Sequence, residues 1–415
     1  MHYDRRGIAV TSNSTTAVAH FDAAVRSFLA HRRDAADHVA AALAADPDLT
    51  IAHCFTGFAL LLLGRSELFA PAREAAMRAE TAIAQRGASL REIRLLAALQ
   101  SWLGGEMERC ATILGRALAD QKLDALTFKL LHATQFMLGD TAGMRLSAES
   151  VREAWNPAIP EAGFILGCRA FALEETGALG AAEICARQAL ALEAEDVWAA
   201  HALAHIFESR RLPAAGIAWL QRYEPRLAGV NNFAQHVHWH EALFHLTAGN
   251  AGTALALYDG KIRTERTDDY RDIANAASLL WRLERQHVDV GSRWEELADL
   301  AQRRIGDGAL VFAQLNYLLC LLATARGDAV AAFLAALERQ ADSHAGTQAR
   351  IAARVGLPLA RFLCHQGSGR AITGDGLQSI GGSNAQRALF AMILQGGSAG
   401  LGNSGNQPMP GSLAA

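Results

Sequence analysis

The chain has 415 residues, which is more than one hydrophobic core usually serves, so it should form several domains or one array of repeats. Its composition favours helix, because Ala, Leu, Arg and Glu dominate, only 9 prolines occur, and runs of Val, Ile and Thr are rare. Lys plus Arg (39) nearly balance Asp plus Glu (42), which argues against a nucleic-acid partner and against an anionic membrane.

Residues 1–16 are predicted to be an N-terminal extension. They contain Arg5 and Arg6 but not the apolar run that follows such residues in a secretory signal. The longest apolar stretch, residues 58–63, is far too short to span a bilayer. The 6 cysteines are widely spaced among apolar neighbours, which suits reduced, buried thiols. A cytoplasmic location is therefore expected.

Residues 17–395 are predicted to be one domain of tetratricopeptide-like helical repeats. Turn signals recur every 34 to 40 residues, and a further, unmarked turn is expected near His287. Periods of this length are typical of stacked helix–turn–helix units. We therefore expect an all-α fold, a right-handed superhelical solenoid of about seven or eight helix pairs, whose first helices line a concave groove. The turn signals centre on Gly64, Gly104, Gly139, Gly177, Arg211, Gly249 and Gly327.

Residues 396–415 are rich in Gly, Ser and Pro and lack periodicity, so a disordered tail is predicted there. Before the tail, Ser383 is predicted to cap a helix that begins at Asn384.

The strongest functional signal is a set of histidines in two neighbouring repeats. Asp196 is predicted to cap a helix on which His201 and His205 are four residues apart and share one face with Glu208. One repeat later, His236 and His240 have the same spacing, whereas His238 points elsewhere. Adjacent repeats could bring the two pairs together in the groove.

Convergent histidines allow two kinds of chemistry. They could bind a divalent transition metal, with Glu208 or Asp259 completing the ligand set or acting as a base. They could instead perform metal-free acid–base catalysis, in which one imidazole takes a proton and Glu208 or a second imidazole returns it. The structural alternative is that they are hydrogen-bonded packing residues, which is the better interpretation for any single histidine. Two matched pairs favour a functional groove.

Further residues are predicted to bind substrate in the groove. They occupy first helices, or lie near the histidines, although aromatic residues at helical spacing are usually core and Asp259 is more simply the cap of a turn. These residues are His53, His132, Glu175 with its neighbour Glu174, Trp239 and Asp259, and Trp198 and Trp281 could also stack on a ligand.

Several enzyme classes lack their motifs in this chain. No glycine-rich phosphate loop, dinucleotide fingerprint or serine nucleophile elbow is present, so no nucleotide cofactor is expected.

The segments WAAHALAHIFES, HVHWHEALF, ALALYDGKI, VGLPLARFL and GGSNAQRALF together resemble the tetratricopeptide repeat protein 38 family, over about residues 53–394. The resemblance implies a soluble, all-helical repeat protein, of a family whose biochemical activity is largely unassigned. The motif matches at Trp198, His201, His205, Glu208, His236, Trp239, His240 and Asp259.

Some positions depart from that family. A phenylalanine-led helix has Phe312, Gln314 and Asn316 where the family pattern suggests ionisable groups, so the groove could be retuned or disabled. Residues 363–381 are shortened and glycine-rich, and Ala388 stands where an acidic residue is typical.

Two functions follow as hypotheses. The leading one is a small-molecule enzyme, a hydrolase, lyase or isomerase, with His201, His205, Glu208, His236 and His240 as its reactive or metal-binding cluster. The alternative is a scaffold that binds a peptide in the groove without catalysis, although the basic clamp that would favour it is not evident. Homo-oligomerisation is left open.

Overall fold

The structure is a computed structural model, which describes residues 2–365, 372 and 374–396. The protein is an array of helices. The helices are α1 Thr15–Leu29, α2 Ala35–Ala45, α3 Thr50–Leu61, α4 Phe69–Arg86, α5 Leu90–Leu103, α6 Met107–Asp120, α7 Ala125–Met137, α8 Thr141–Val151, α9 Ala162–Glu175, α10 Leu179–Leu192, α11 Val197–Ser209, α12 Pro213–Tyr223, α13 Phe233–Thr247, α14 Ala251–Leu257, α15 Tyr270–Arg285, α16 Arg293–Arg303, α17 Val311–Ala323, α18 Gly327–Ser343, α19 Gly346–Ile351, α20 Leu357–Leu363, α21 Gly374–Gln378 and α22 Asn384–Gly396.

A small hairpin precedes the helices. Strand β1, His2–Tyr3, pairs antiparallel with β2, Ala9–Val10. The predicted tail lies outside the described residues apart from residue 396. Residues 366–371 and 373 of the glycine-rich segment also lie outside them.

The helices alternate as the repeat period predicts, and the all-helical repeat fold is confirmed. In the described residues, α1 to α18 form nine pairs of consecutive helices, rather than seven or eight. The first pair was missed because its turn uses a non-glycine residue, His31, at a positive φ of 55°. The unmarked turn near His287 is confirmed, with φ of 60° at that residue. Near Gly327 the left-handed residue is Ala325, and Gly327 begins the next helix.

First and second helices of a pair differ in burial. Nearly every residue of α9, α11, α13 and α17 is buried, whereas α10, α12 and α16 bury only one face. A helix that is apolar all round belongs in a core, and the sequences of these first helices fit that position. Most polar residues of these four first helices are therefore buried, whereas Glu208 near the end of α11 is partly exposed. No helix among the described residues is both long and apolar enough to cross a membrane.

First helices line the inner side of the array, and segments of the same chain close over part of it. Turns of early pairs bind later segments: the amide of Asn231 donates to the carbonyl of His31 (2.7 Å), and that of Thr347 to the carbonyl of Gly105 (2.8 Å). Gly139 approaches Gln378 so closely that an added Cβ would lie 1.9 Å from its carbonyl oxygen. What remains of the groove is a partly open cavity.

Candidate metal centre

Helices α11 and α13, the first helices of neighbouring pairs, carry the four histidines and pack against each other. Helix α11 begins at Asp196, whose buried carboxylate accepts from the amides of Trp198 (3.0 Å) and Ala199 (3.2 Å), as predicted. The four-residue spacing places both histidines of each helix on one face. The two faces oppose each other in the interior.

His201 lies at the centre of the cluster. Its Nε2 is 2.9 Å from Nε2 of His236 and 2.9 Å from Nε2 of His205. One ring nitrogen of each of the four residues, His240 included, lies within 4.8 Å of the others. None of the four is more than 7% exposed. We call these four residues the histidine cluster.

Carboxylates hold two of the rings from outside. Nδ1 of His205 lies 3.3 Å from Oε2 of Glu174 and 3.7 Å from Oε1 of Glu175. Nδ1 of His240 lies 3.1 Å from Oε2 of Glu208. An ionised carboxylate only accepts hydrogen bonds, so each of these Nδ1 atoms carries the hydrogen, and Nε2 carries a lone pair as long as the ring is neutral.

The other two rings differ from each other. Nδ1 of His236 lies 3.0 Å from Oδ1 of Asn275, which accepts in the same way as a carboxylate. Nδ1 of His201 has no partner, and neither has Nε2 of His240. Buried polar atoms are normally paired, so these two mark the cluster as incomplete.

The electrostatic environment separates one histidine from the others. Burial lowers the pKa of His201, His236 and His240 well below the usual value, and neighbouring imidazoles lower it further. Burial also acts on His205, but the negative charge of Glu174 and its neighbours outweighs it and raises the pKa. His205 is the ring of the four that most readily holds a positive charge.

A cavity of about 250 Å³ adjoins the cluster. His201 and His236 form part of its wall, so a molecule in the cavity would meet the cluster directly. Aromatic rings make up much of the remaining wall: Phe28, Phe136, Trp198, Phe233, Tyr270 and Phe312.

A second, more open cavity of about 410 Å³ lies beyond Glu208. Its wall includes Trp281 and Arg282, and the side chain of Glu208 is 31% exposed. Glu208 thus connects His240 to this second cavity, from the side opposite the aromatic one.

Three of the predicted substrate-binding residues lie close to the cluster. His132 lines the aromatic cavity, and neither of its ring nitrogens has a partner. Glu175 is a neighbour of His205 and also accepts from the amide of Asn384 (2.9 Å), which anchors α22. Trp239 stacks behind His236, with ring centroids 5.2 Å apart, and is not part of the cavity wall.

The other two are placed elsewhere, and here the prediction is corrected. His53 lies on α3, and its Nε2 contacts the carbonyl of Pro47 at 2.8 Å, so it serves the packing of its own pair. Asp259 lies in a π-helical turn at the surface and binds Arg293 (2.7 Å). Periodicity places both on the right type of element but does not give the distance between repeats.

The departures on α17 do not reach the cluster. Gln314 donates to Oε1 of Gln340 (2.8 Å), and Asn316 donates to the carbonyl of Phe312 (2.8 Å). Of these, only Phe312 lines the aromatic cavity. The uncharged residues of this helix therefore leave the four histidines unaffected. Ser383 caps α22 as predicted, by accepting from the amide of Gln386 (3.3 Å).

Sequence reasoning missed Lys129, His31 and Asn275. Lys129 precedes His132 by one helical turn and is one of three lysines in the chain, a signal that was available. His31 lies in a turn and reaches the cavity only because the array closes on itself. Asn275 comes from the next first helix, α15, and no local pattern connects it with His236.

The fold and the site define a tetratricopeptide-like helical repeat protein with a buried histidine cluster beside an aromatic cavity. No protein-family model matches the chain. Among solved structures, it is similar to the tetratricopeptide repeat domain of P58(IPK), at 14% identity, covering 84% of this chain and 89% of that one. The TM-score is 0.22, and this likeness supports no conclusion about function.

Proposed function

We propose that the histidine cluster binds one divalent transition-metal ion, which acts on a small molecule held in the aromatic cavity. The observation that carries this proposal is the convergence of four ring nitrogens within 4.8 Å while three of the outward nitrogens lie 3.0–3.3 Å from oxygen acceptors. Outer acceptors of this kind accompany histidines in most metal sites, because they orient the ring and make its ligating nitrogen more basic.

Counting hydrogens supports a cation at the centre. Nε2 of His205 and of His236 both present lone pairs to Nε2 of His201, which can supply one hydrogen at most. Nε2 of His240 has no donor at all. Without a cation, lone pairs face each other in an interior that screens them poorly. A metal ion could accept the lone pair of one nitrogen from each of the four rings.

The spacing suits a metal of the size of zinc. Zn²⁺ binds imidazole at about 2.0–2.1 Å, so the nitrogens of a tetrahedral site are about 3.3 Å apart. The two short separations of 2.9 Å and the outer limit of 4.8 Å bracket that value, so small rotations of the rings would complete the site. Imidazole ligands equally suit copper, iron and nickel.

The position of the cluster favours catalysis over a purely structural ion. Catalytic zinc sites keep three protein ligands and leave one position open. His205, His236 and His240 are the three rings held from outside, whereas His201 is held only within the cluster and faces the cavity. A metal with such an open position activates water or polarises a carbonyl group. This chemistry serves a hydrolase, lyase or isomerase.

Two rival functions each have a specific observation in their favour. The raised pKa of His205 beside Glu174 suits a metal-free acid–base mechanism, in which an imidazolium replaces the ion. Helical repeat arrays also serve as scaffolds, and Leu146 and Ile184 on the outer helices are 73% and 62% exposed. A partner of such a scaffold would bind outside the covered groove.

Membership of the tetratricopeptide repeat protein 38 family is part of the proposal. It is supported by the fact that most of the matching motif residues, among them His201 and Trp239, belong to the cluster or contact it. Shared chemistry at this site would explain a motif that ordinary tetratricopeptide repeats do not need.

Cobalt substitution tests the metal proposal and its link to catalysis. Co²⁺ added to metal-free protein should give the intense visible absorption of a four- or five-coordinate ion, saturating at one equivalent. Zinc-loaded protein should then deplete a small molecule from a metabolite extract, followed by mass spectrometry, and the His236→Gln variant should not. Equal behaviour of the variant in both assays would overturn the proposal. Depletion by metal-free protein alone would favour the acid–base rival.

A further inference from the structure

One wall of the aromatic cavity carries a buried positive charge. Lys129 on α7 lines the cavity and is 4% exposed. Its Nζ lies 3.2 Å from Nε2 of His31, 3.7 Å from Sγ of Cys168 and 4.4 Å from the ring centroid of Trp198. Burial and the charge of Lys129 lower the pKa of His31, so this ring is a neutral acceptor.

This ammonium group has no carboxylate of its own. In the described part of the chain no Asp or Glu forms an ion pair with Lys129 within 4.0 Å. The carboxylate of Asp196 is near enough to interact with its charge, but its bonded oxygen caps α11. A buried charge is costly unless an opposite charge or several hydrogen bonds compensate it.

His132 lies one helical turn from Lys129 and, like Lys129, lacks a sufficient hydrogen-bond partner within the chain. It is 1% exposed, lines the cavity, and has no partner at either ring nitrogen. Burial, and then the charge of Lys129, lower its pKa, so the ring is neutral and one nitrogen carries a hydrogen to donate. Two donors without a bonded anion thus line one cavity, whose own carboxylate, Asp272, accepts from Asn232 and Thr267.

The lining and volume of the rest of the cavity indicate the size and polarity of the ligand that it could hold. Six aromatic rings surround it, and its volume of about 250 Å³ exceeds the roughly 150 Å³ that is enough for benzene. His201 and His236 also line this cavity and belong to the proposed metal site. The space therefore suits one ring with a short polar side chain.

We infer that the cavity binds a small carboxylic acid with an aromatic or bulky apolar body, whose carboxylate accepts from Lys129 and His132. This inference adds a class of substrate to the proposed function. The reaction of that substrate at the metal rests on the proposed function itself. One ammonium and one neutral imidazole match a single negative charge. A phosphate would bring nearly two, and the two arginines in the wall are already engaged, Arg271 by Asp269 and Arg32 by the carbonyl of Ala228.

Binding of 3-phenylpropanoate and of its neutral amide, measured by calorimetry on metal-free protein, tests the inference. Working without metal removes direct coordination of the carboxylate as an explanation. We expect the acid to bind at least about tenfold more tightly than the amide, since a hydrogen bond to a charged group contributes about 1.5–3 kcal/mol. Lys129→Met should abolish this preference, and the exposed control Lys122→Met should keep it.

A second variant covers the case in which Lys129→Met does not fold. His132→Phe keeps the ring and removes the donor, and it should weaken binding of the acid without changing that of the amide. Equal binding of acid and amide by the wild type, or an unchanged preference in both variants, would overturn the inference.

Metal loading separates this inference from the proposed function. Lys129→Met should bind Co²⁺ as the wild type does. If the wild type binds metal but does not prefer the acid to the amide, only the inference is refuted. Lysine-dependent acid binding by a protein that never binds metal refutes only the metal proposal.

Discussion

Two buried polar clusters lie in this array, and they are built in different ways. Near the N-terminus, Arg6 lies 2.8 Å from Glu161 and 3.0 Å from Asp4, and Arg91 lies 2.7 Å from Asp124. Each charged group there has an opposite charge within 4.0 Å. This ion-pair cluster consists of Asp4, Arg6, Asp22, Arg91, Asp124 and Glu161, and it ties the N-terminal hairpin to α1, α5 and the start of α9.

The histidine cluster has the opposite property. The outer nitrogens of His205, His236 and His240 lie next to oxygen acceptors, but Nδ1 of His201 has no partner. Nε2 of His201 contacts Nε2 of His205 and of His236, and Nε2 of His240 has no hydrogen-bond partner. A cluster that only stabilises the fold can pair its charges within the chain, as the ion-pair cluster does, although Nε of Arg6, Nη1 of Arg91 and Oε1 of Glu161 make no hydrogen bond. A cluster that binds a ligand has buried polar atoms without hydrogen bonds when the ligand is absent, and these atoms lower the stability of the fold. The comparison predicts that mutations in the two places will have different effects.

The largest expected effect is on metal binding. His236→Gln should reduce metal content from about one ion per chain to near zero, measured by mass spectrometry of the purified protein. The wild type should lose about 4 kcal/mol of apparent stability when a chelator replaces metal held at about 1,000 times its Kd, and the variant should not respond. His238→Gln is the matched control, because this neighbouring ring contacts Glu241 instead. Equal metal loss in the control would mean that the cluster is not the site.

The ion-pair cluster should show the reverse behaviour. Arg91→Met leaves the buried carboxylate of Asp124 without its cation and should cost about 3–5 kcal/mol in urea unfolding. Metal content should stay at the wild-type level. If this variant lost metal while remaining folded, the two clusters would be coupled and the contrast between them would fail.

An outer partner should have a graded effect. Glu208→Gln keeps the shape but weakens the acceptor for Nδ1 of His240, and outer partners typically contribute about 10–100-fold to metal affinity. Competition with a coloured chelator measures this change. Glu241→Gln, on the same helix as His240 but outside the cluster, should leave the affinity as it is. A structural role alone for Glu208 would lower the melting temperature and leave the affinity untouched.

A further effect, on pH dependence, concerns the cap of the histidine helix. Burial raises the pKa of Asp196 to about 7 in the folded state, from its ordinary value of 3.8. Between these two pH values the unfolded chain gives up its proton and the folded chain keeps it, so the free energy of unfolding falls as pH rises. Asp196→Asn also caps a helix but cannot titrate. The difference in stability between wild type and variant should therefore shift in favour of the variant from pH 4 to pH 7, and parallel urea midpoints would contradict this.

Much of the fold could be predicted from the sequence because its determinants are local. The repeat period, the left-handed turn at Gly177 and the caps at Asp196 and Ser383 all follow from residues a few positions apart. Turns without glycine were the weak point, since nothing in the sequence near His31 marks a left-handed residue.

The site could be predicted only in part. The spacing of His201 and His205 gives the face of a helix, but the partners Asn275 and Lys129 come from other pairs. The closure of the array, which turns a groove into a cavity, depends on contacts such as Gly139 with Gln378 across more than 200 residues. No local pattern encodes a contact of that range.

The central claim is that a metal ion lies among the four histidines. Crystals of protein purified without chelator and loaded with one equivalent of Zn²⁺ allow the direct test, an anomalous difference map at the zinc absorption edge. We predict one strong peak about 2.0–2.1 Å from Nε2 of His205, His236 and His240, with His201 as the fourth ligand or turned towards the cavity. A cluster with no anomalous peak, or with a peak elsewhere on the molecule, would contradict the claim.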